Sequence, residues 1–295
     1  MSNKPLLAVE NYSQSFVMGR HLTIDALKAV SLQIHRGEIL GLVGESGCGK
    51  STLARAIMGI YKPSSGAISF KGNVISTRAG YAQNKTDIQR NIQPIFQDSA
   101  AALNPRMTVA ELIAEPFVIH HSYQDKHAQA AKVDELLLSV GLGVQHKSLY
   151  PAEISGGQRQ RVSIARSIAL DPELIIADEP VASLDVSIQA QIITLFQRLQ
   201  REKQFSFLFI AHDLSMVRYI SNRIAVMYGG RIVEIAPTET LFSAPRHPYT
   251  QALLSAIPVP DPHHERQKHV LTFDAHSLHE QGELTEVAPR HWVYG

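Results

Sequence analysis

Short blocks of hydrophobic and polar residues alternate along most of the chain, and they predict strands and helices in turn. An almost wholly apolar run at 39–43 is typical of a strand buried on both faces. Turn residues at 35–38 separate this run from a preceding strand at 29–34. A glycine-rich loop follows it, and the residues after the loop predict a helix at 51–58. The pattern therefore predicts strand, loop and helix in direct succession.

The strand pattern is lost in the middle of the chain. From Asn104 to about Tyr150, apolar residues recur at the three- and four-residue spacing that is typical of one helical face, as Val133, Leu136, Leu137 and Val140 do. After Pro151, apolar strands and amphipathic helices alternate again, and one of these helices is predicted at 186–203. This alternation predicts an α/β fold, with a mostly parallel sheet covered by helices on both faces. We predict that a helical insert over about 104–157 interrupts it.

The last 35 residues follow neither pattern, because prolines at 258, 260 and 262 break regular structure. We predict a domain over 1–260 and an irregular, partly packed tail over 261–295. The tail histidines fit no spacing of metal ligands, and we predict no metal site there. These histidines are His263, His264, His269, His276, His279 and His291.

Composition narrows the class of protein. The chain has 28 Lys+Arg against 27 Asp+Glu, and this balance argues against a dedicated nucleic-acid binder. No apolar run approaches the roughly 20 residues of a membrane-spanning helix, and residues 1–10 show no secretory signal. The single cysteine, Cys48, excludes an internal disulfide or an all-cysteine iron–sulfur cluster. We therefore expect a cytosolic protein.

The strongest motif is the phosphate-loop pattern that follows the strand at 39–43. It reads Gly44-Glu45-Ser46-Gly47-Cys48-Gly49-Lys50-Ser51, and Thr52 comes next. The glycines let backbone N–H groups converge on phosphate oxygens, and the positive end of the following helix adds to the attraction. We expect Lys50 to reach the β- and γ-phosphates and the Ser51 hydroxyl to ligate Mg²⁺. The motif predicts a nucleoside-triphosphate site, and the alternative is a glycine-rich turn that matches by chance.

Cys48 lies inside this loop, where a helix N-terminus lowers the pKa of a thiol. Phosphoryl transfer to water needs no covalent cysteine, and no histidine is paired with Cys48 in the sequence. We therefore expect a small loop residue and not a nucleophile. A thiol reagent is expected to slow nucleotide hydrolysis, and bound nucleotide is expected to protect.

Two adjacent carboxylates, Asp178 and Glu179, end an apolar strand at 174–177. Open parallel sheets bind ligands at such carboxyl ends. Asp178 can hold Mg²⁺ through water, and Glu179 can polarise the attacking water. Taken alone, the pair fits a solvated turn equally well.

A further motif decides whether these carboxylates are catalytic or belong to a solvated turn. It lies before a basic helix and reads Glu153-Ile154-Ser155-Gly156-Gly157-Gln158. Here the sequence resembles the ATP-binding-cassette (ABC) ATPases, whose signature Leu-Ser-Gly-Gly-Gln differs only at Ile154. The resemblance implies a P-loop NTPase with a mostly parallel core sheet, an N-terminal antiparallel β subdomain and a helical subdomain insert. It also implies that Ser155, Gly156, Gly157 and Gln158 contact the ATP of a partner subunit.

The remaining family motifs follow in order. The resemblance implies that Gln97 ligates Mg²⁺ and senses a membrane partner, that His212 lies near the γ-phosphate, and that Phe16 stacks on adenine. It implies that the loop of Ser183, Leu184 and Asp185 crosses a dimer interface. Each residue alone has a structural explanation, and their order along the chain favours function. The implied catalytic residues are Lys50, Gln97, Glu179 and His212, and the implied Mg²⁺ ligands are Ser51, Gln97 and Asp178.

Longer runs at 96–107, 178–191 and 245–254 look like the dipeptide, oligopeptide and nickel importer branch, and within it the second of two unlike ATPase subunits. The resemblance implies an ATPase that energises import of peptides, or of nickel or a metal chelate. It implies ATP and Mg²⁺ as cofactors and a peripheral position on the cytoplasmic face of the membrane. The implied partners are a second, unlike ATPase, two membrane permeases and a periplasmic or extracellular substrate-binding protein.

Relatives in this branch often carry a cysteine-rich C-terminal element for an iron–sulfur cluster. Residues 271–295 contain no cysteine, so we expect no cluster in this chain. The rival function is a soluble cassette ATPase that acts as a switch on DNA or ribosomes. Such proteins usually carry a long coiled-coil insertion or two fused cassettes, and this sequence has neither. A regulatory subunit with a degenerate site is disfavoured because Lys50, Asp178, Glu179 and His212 are all present.

Overall fold

The computed structural model describes residues 4–19, 22–257, 270–274 and 282–295. Its strands are β1 (Leu7–Met18), β2 (Leu22–Ile34), β3 (Ile39–Val43), β4 (Ser65–Phe70), β5 (Asn73–Val74), β6 (Ile92–Ile95), β7 (Leu174–Asp178), β8 (Ser206–Ile210), β9 (Arg223–Tyr228), β10 (Arg231–Pro237), β11 (Leu284–Ala288) and β12 (His291–Tyr294). Its helices are α1 (Lys50–Ile57), α2 (Arg78–Asn91), α3 (Ser99–Ala102), α4 (Val109–Ile119), α5 (Lys126–Ser139), α6 (Gly156–Ile168), α7 (Val186–Lys203), α8 (Leu214–Ile220), α9 (Thr238–Ser243) and α10 (Pro248–Ser255). Two 3-10 turns span Val144–Ser148 and Pro151–Glu153. The chain divides into a first unit, Met1–Asn84 with Phe209–Gly295, and a second unit, Lys85–Leu208.

The first unit contains a small antiparallel sheet of order β2-β1-β4-β5. β1 pairs with β2 on one side and with β4 on the other. Tyr12 of β1 is fully buried and donates its hydroxyl to Gln14 Oε1 at 3.1 Å. Burial raises the pKa of Tyr12 to about 12. The sheet confirms the predicted N-terminal antiparallel β subdomain.

Five strands of the second sheet lie wholly in the first unit, in the order β11-β12-β10-β9-β3. β3 pairs with β9 in parallel, and every residue of β3 is buried, as the apolar run predicts. β10, β12 and β11 extend the sheet by antiparallel pairing. The prediction of an irregular tail is therefore wrong for 284–294. These strands have only four and five residues, and β12 pairs with β10 far back along the chain, so no local pattern reveals them.

A buried carboxylate fastens this terminal hairpin. Glu234 of β10 accepts the backbone N–H groups of Arg246 and His247 at 2.8 and 3.0 Å, and it lies 2.7 Å from Nε2 of His291 on β12. Burial lowers the pKa of His247, whose Nδ1 accepts the N–H of Tyr249 at 3.1 Å. His291 thus has a structural contact. The domain boundary at 260 and the other tail histidines, His263, His264, His269, His276 and His279, lie outside the described residues.

The second unit contains the parallel pair β6 and β7 together with helices α3 to α7. The stretch predicted as a helical insert, 104–157, forms α4, α5 and both 3-10 turns. The stripe predicted on α5 and just after it is no more than 2% exposed at any position; it consists of Val133, Leu136, Leu137 and Val140. α7 begins and ends where its pattern predicts. The exact limits of the subdomains stay a prediction.

α2 is the longest element that the hydrophobic pattern does not show. Ile88 is the one buried residue among its 14 positions, so the helix has no apolar stripe that periodicity could reveal. Across the described ranges, no helix is both long and apolar enough to cross a bilayer.

Candidate functional site

The phosphate loop joins β3 to α1 in the first unit. Gly44 has φ of +155°, and a Cβ at this position would lie 2.1 Å from the Met227 carbonyl oxygen of β9. Gly49 caps α1 with φ of +113°, and a Cβ there would lie 2.6 Å from Ala26 O. Only glycine lets the loop pass this close to the neighbouring backbone. The motif glycines are thus required by sterics at both ends of the loop.

Lys50 opens α1 and is 5% exposed. Its Nζ lies 2.8 Å from the carbonyl oxygens of Gly44 and Glu45 and 3.8 Å from the Cys48 sulfur. The ammonium is therefore held by the loop itself, at the N-terminus of a helix where anions are favoured. Among the other predicted loop residues, Glu45, Ser46 and Gly47 are exposed, and Ser51 and Thr52 are half-buried in the first turn of α1.

The Cys48 thiol is 7% exposed. Burial raises its pKa above the ordinary value, although nearby Lys50 acts in the opposite direction. The sequence-based expectation that the helix N-terminus lowers this pKa is therefore not met, because desolvation is the larger effect. The geometry supports a packing residue and not a nucleophile.

A second layer of residues supports the loop, and no motif predicts this supporting role. The Glu45 N–H donates to the Tyr249 hydroxyl of α10 at 3.2 Å, across 204 residues of chain. The Gly230 N–H, in the turn after β9, donates to Cys48 O at 3.0 Å. The phosphate loop is therefore fixed by its own residues and by two contacts from the C-terminal part of the first unit.

Tyr249 is itself held in an aromatic cluster. Its ring is 2% exposed and lies 4.5 Å from the ring of Tyr228 and 5.4 Å from that of Phe273. Burial raises the pKa of Tyr249, so the hydroxyl stays neutral. In the sequence, Tyr249 is the second residue of a helix that begins at Pro248, within the run at 245–254 that resembles the importer branch. Nothing in that run indicates a contact with the phosphate loop.

Two further predicted residues belong to the first unit. Phe16 on β1 is half-buried, and its ring meets the ring of Tyr61 edge to face at 5.1 Å. His212 follows β8 and is exposed; the preceding Ala211 N–H donates to Leu42 O of β3 at 3.2 Å. His212 thus follows the end of β8, the phosphate loop follows the end of β3, and the Ala211 N–H links the two segments.

The predicted carboxylates end β7 in the second unit. Asp178 is the last residue of the strand, and both Asp178 and Glu179 are half-buried. Glu179 has φ of +47°, a left-handed conformation that is unusual for glutamate. Residues held in such conformations are common at functional sites, because the surrounding structure must maintain the strain.

Gln97 lies near the same edge of the sheet as Asp178. β6 and β7 are parallel and in register from Ile92 opposite Leu174 to Ile95 opposite Ala177, so both carboxyl ends point the same way. Ser167 of α6 donates its hydroxyl to Pro94 O at 2.7 Å and anchors β6. Gln97 is exposed, two residues past the strand.

The signature loop and the loop of Ser183, Leu184 and Asp185 meet in the second unit. Ser155 caps α6, and a Cβ on Gly157 would lie 2.9 Å from the Ile188 side chain of α7. Leu184 is the nearest side chain to Gly156, and Asp185 caps α7. Ser155, Ser183 and Asp185 are exposed. The structure therefore brings the signature loop and the predicted interface loop to one surface.

The chain is similar to known sequence families and proteins over nearly its whole length. A family model described as "ABC transporter" matches residues 27–182, and one described as "Oligopeptide/dipeptide transporter, C-terminal region" matches residues 233–281. "Oligopeptide transport ATP-binding protein OppF" of Bacillus subtilis (strain 168) is 50% identical over 292 residues, which cover 98% of this chain and 95% of that protein. "Putative oligopeptide transport ATP-binding protein YkfD" of the same organism is 51% identical over 271 residues, covering 91% and 81%.

Two solved structures share the fold. The dimeric post-hydrolysis state of the ATP-binding cassette MJ0796, bound to ADP and Pi, matches with a TM-score of 0.70 and 27% identity, covering 79% of this chain and 98% of that one. The structure of cbiO1 from Clostridium perfringens, part of the cbiONQ complex, matches with a TM-score of 0.71 and 29% identity, covering 81% and 91%.

Proposed function

The chain belongs to the ATP-binding proteins of ABC transporters, in their oligopeptide transport group, and we propose that it hydrolyses ATP to energise peptide import across the cytoplasmic membrane. OppF and YkfD carry the names of an oligopeptide transport ATP-binding protein and of a putative one, and their matches cover 98% and 91% of this chain. The observation that most directly supports ATP hydrolysis is the phosphate loop, in which two loop carbonyl oxygens hold the Lys50 ammonium at the N-terminus of α1.

The residues present fit ATP and Mg²⁺. The close contacts at Gly44 and Gly49 exclude side chains at these two positions, and a loop without side chains there can present its backbone N–H groups to phosphate. The Ser51 hydroxyl, the Gln97 carboxamide and the Asp178 carboxylate are oxygen donors of the kind that Mg²⁺ takes. Mg²⁺, when bound, neutralises phosphate charge during transfer.

Each predicted catalytic residue has a proposed task. Lys50 counters the charge of the β- and γ-phosphates. Glu179, whose backbone is held in a left-handed conformation, orients and polarises the attacking water. His212 contacts the γ-phosphate end, and Phe16 stacks on adenine. Gln97 joins the Mg²⁺ ligands and reports to a membrane partner.

The signature loop is proposed to act on a partner's nucleotide. MJ0796, a relative in fold, was solved as a dimer with ADP and Pi. In this chain, Ser155, Ser183 and Asp185 are exposed on one surface of the second unit. We infer that this surface faces a second ATPase subunit, and that the second subunit is an unlike chain.

The remaining partners follow from the transporter assignment. They are membrane permeases, two in number, and a periplasmic or extracellular substrate-binding protein that selects the cargo. The chain is then a peripheral subunit on the cytoplasmic face of the membrane. Peptide is the proposed cargo, and nickel or a metal chelate is the alternative.

The test is reconstitution of the full-length chain with its permeases and second ATPase in proteoliposomes. We expect loaded binding protein to stimulate ATP hydrolysis and to drive uptake of labelled peptide, and not of nickel. Stimulation by DNA or ribosomes, without association with permeases, would instead support the soluble switch.

Glu179→Gln tests the catalytic assignment in the same system. We expect hydrolysis to fall at least about a hundredfold while ATP stays bound in a closed dimer, because the base that polarises water is lost. Glu202→Gln is the matched control: this exposed glutamate on α7 lies 3.9 Å from Arg198, and its loss is expected to change the rate less than about twofold. Undiminished hydrolysis in Glu179→Gln would refute the assigned role.

A further inference from the structure

His146 lies in the 3-10 turn Val144–Ser148, and no motif singles it out. Its Nδ1 lies 2.9 Å from Gly143 O, and its Nε2 lies 3.2 Å from Nε2 of Gln158 in the signature loop. A carbonyl oxygen can only accept a hydrogen bond, so Nδ1 carries the proton. The amide nitrogen of Gln158 can only donate, so Nε2 of His146 accepts. The contacts therefore select one neutral tautomer of His146.

Gln158 transmits this orientation to Ser155. The Gln158 Oε1 accepts the Ser155 N–H at 2.9 Å, and the Gln158 N–H donates to Ser155 Oγ at 3.3 Å. With the carboxamide turned the other way, its nitrogen would face the Ser155 N–H and its oxygen would face the unprotonated Nε2 of His146. Both contacts would then be unfavourable. The ring and the backbone N–H thus favour the same orientation of Gln158.

The turn that carries His146 is itself fixed. The His146 N–H donates to Gly143 O, and the Leu149 N–H donates to His146 O, each at 3.1 Å. Lys147 pairs with Asp134 of α5 at 2.7 Å. The imidazole therefore reaches Gln158 from a turn that is closed by its own hydrogen bonds and anchored to α5.

We propose that His146 is a positioning residue for the signature loop: its Nδ1–H tautomer orients the Gln158 carboxamide and so holds the turn that presents Ser155. The Ser155 oxygen accepts the Gln158 N–H, which leaves its hydroxyl proton for a donor contact with an outside group. That this group is a phosphate of the partner's ATP rests on the proposed function. The hydrogen-bond relay from His146 to Ser155 does not.

Three variants of the full-length chain in the assembled transporter test the proposal. His146→Leu removes the acceptor, His146→Gln restores a carboxamide acceptor, and His127→Leu changes an exposed histidine of α5 as the matched control. We expect kcat for ATP to fall roughly 5- to 10-fold in His146→Leu, the effect of one lost neutral hydrogen bond. We expect His146→Gln to regain most of this rate, and His127→Leu to keep it. The affinity of the isolated subunit for MgATP should be unchanged in all three.

Amide hydrogen exchange at Ser155 tests the relay without reference to activity. We expect faster exchange in His146→Leu and wild-type exchange in His146→Gln, with thermal unfolding compared to verify that each variant is folded. Unchanged exchange in His146→Leu overturns the proposal, as does a kcat loss that His146→Gln fails to rescue. If the exchange result holds and the assembled wild type hydrolyses no ATP, the proposed function fails and the positioning by His146 stands.

Discussion

Tyr249→Phe removes one hydroxyl from behind the phosphate loop. The change keeps the aromatic ring and its contacts with Tyr228 and Phe273, and it deletes the acceptor of the Glu45 N–H at 3.2 Å. The net value of such a neutral hydrogen bond is about 1 kcal/mol, and it reaches about 3 kcal/mol where the remaining group finds no other partner. Glu45 is exposed, so water can replace the hydroxyl, and we expect the lower value.

The loss should be seen in nucleotide affinity. The hydrogen bond between Glu45 and Tyr249 holds the start of the loop in one conformation. Without it, part of the binding free energy is spent on ordering the loop when nucleotide binds. A cost of about 1 kcal/mol corresponds to a roughly fivefold rise in Kd. We expect the Kd for MgATP, measured by calorimetry on the full-length chain, to rise two- to fivefold by this reasoning. At saturating ATP, kcat should change little.

Tyr12→Phe is the matched control, because it also removes one buried hydroxyl and one hydrogen bond in the first unit. Tyr12→Phe should lose at least as much stability as Tyr249→Phe, because the Gln14 acceptor that it leaves is buried, and only Tyr249→Phe should bind MgATP more weakly. Equal Kd values in the two variants would refute the view that the hydroxyl positions the loop, and would leave Tyr249 a role in stability alone.

Three further outcomes follow from the structure of the first unit. Gly44→Ala should abolish nucleotide binding and lower the melting temperature, because its Cβ would lie 2.1 Å from Met227 O; Gly72→Ala, at φ of +81° in open space, bears the backbone cost alone and should keep binding. Because burial raises the pKa of the Cys48 thiol, its alkylation rate, followed by mass spectrometry, should keep rising with pH beyond 9.0, and bound nucleotide should slow it; a plateau near neutral pH would contradict this. Because the pKa of Tyr12 rises from 10.0 to about 12 on folding, the folded state keeps this proton longer, and urea unfolding should show stability falling between those pH values. Tyr12→Phe should flatten that fall.

The local order of elements around the phosphate loop could be predicted from sequence, because burial there follows one short pattern. β3 coincides with the apolar run at 39–43, and α7 with the helix expected at 186–203. Where burial is slight or pairing is distant, the same reasoning fails. α2 buries only Ile88 and has no stripe, and the terminal hairpin depends on Glu234 meeting His291 from 57 residues away.

In the candidate site, too, some features could be predicted from sequence and others could not. Residues proposed to contact nucleotide lie within short motifs, since the strand, loop and helix that present them are contiguous in sequence. Glu179 is one such residue, but its φ of +47° is set by the fold and not by its neighbours in sequence. No periodicity or composition reveals that strain.

The residues that support the site belong to a different class. Tyr249 reaches Glu45 across 204 residues, and His146 reaches Gln158 across 12 residues that include a 3-10 turn. Each acts through one hydrogen bond whose direction depends on the geometry of the partner. A motif describes groups that meet the ligand, and the groups that hold those in place can be of several residue types provided that they donate or accept correctly. The supporting roles of Tyr249 and His146 therefore depend on the three-dimensional positions of their atoms and cannot be predicted from the sequence. For the same reason, each role is tested by a variant that removes a single hydrogen-bond acceptor.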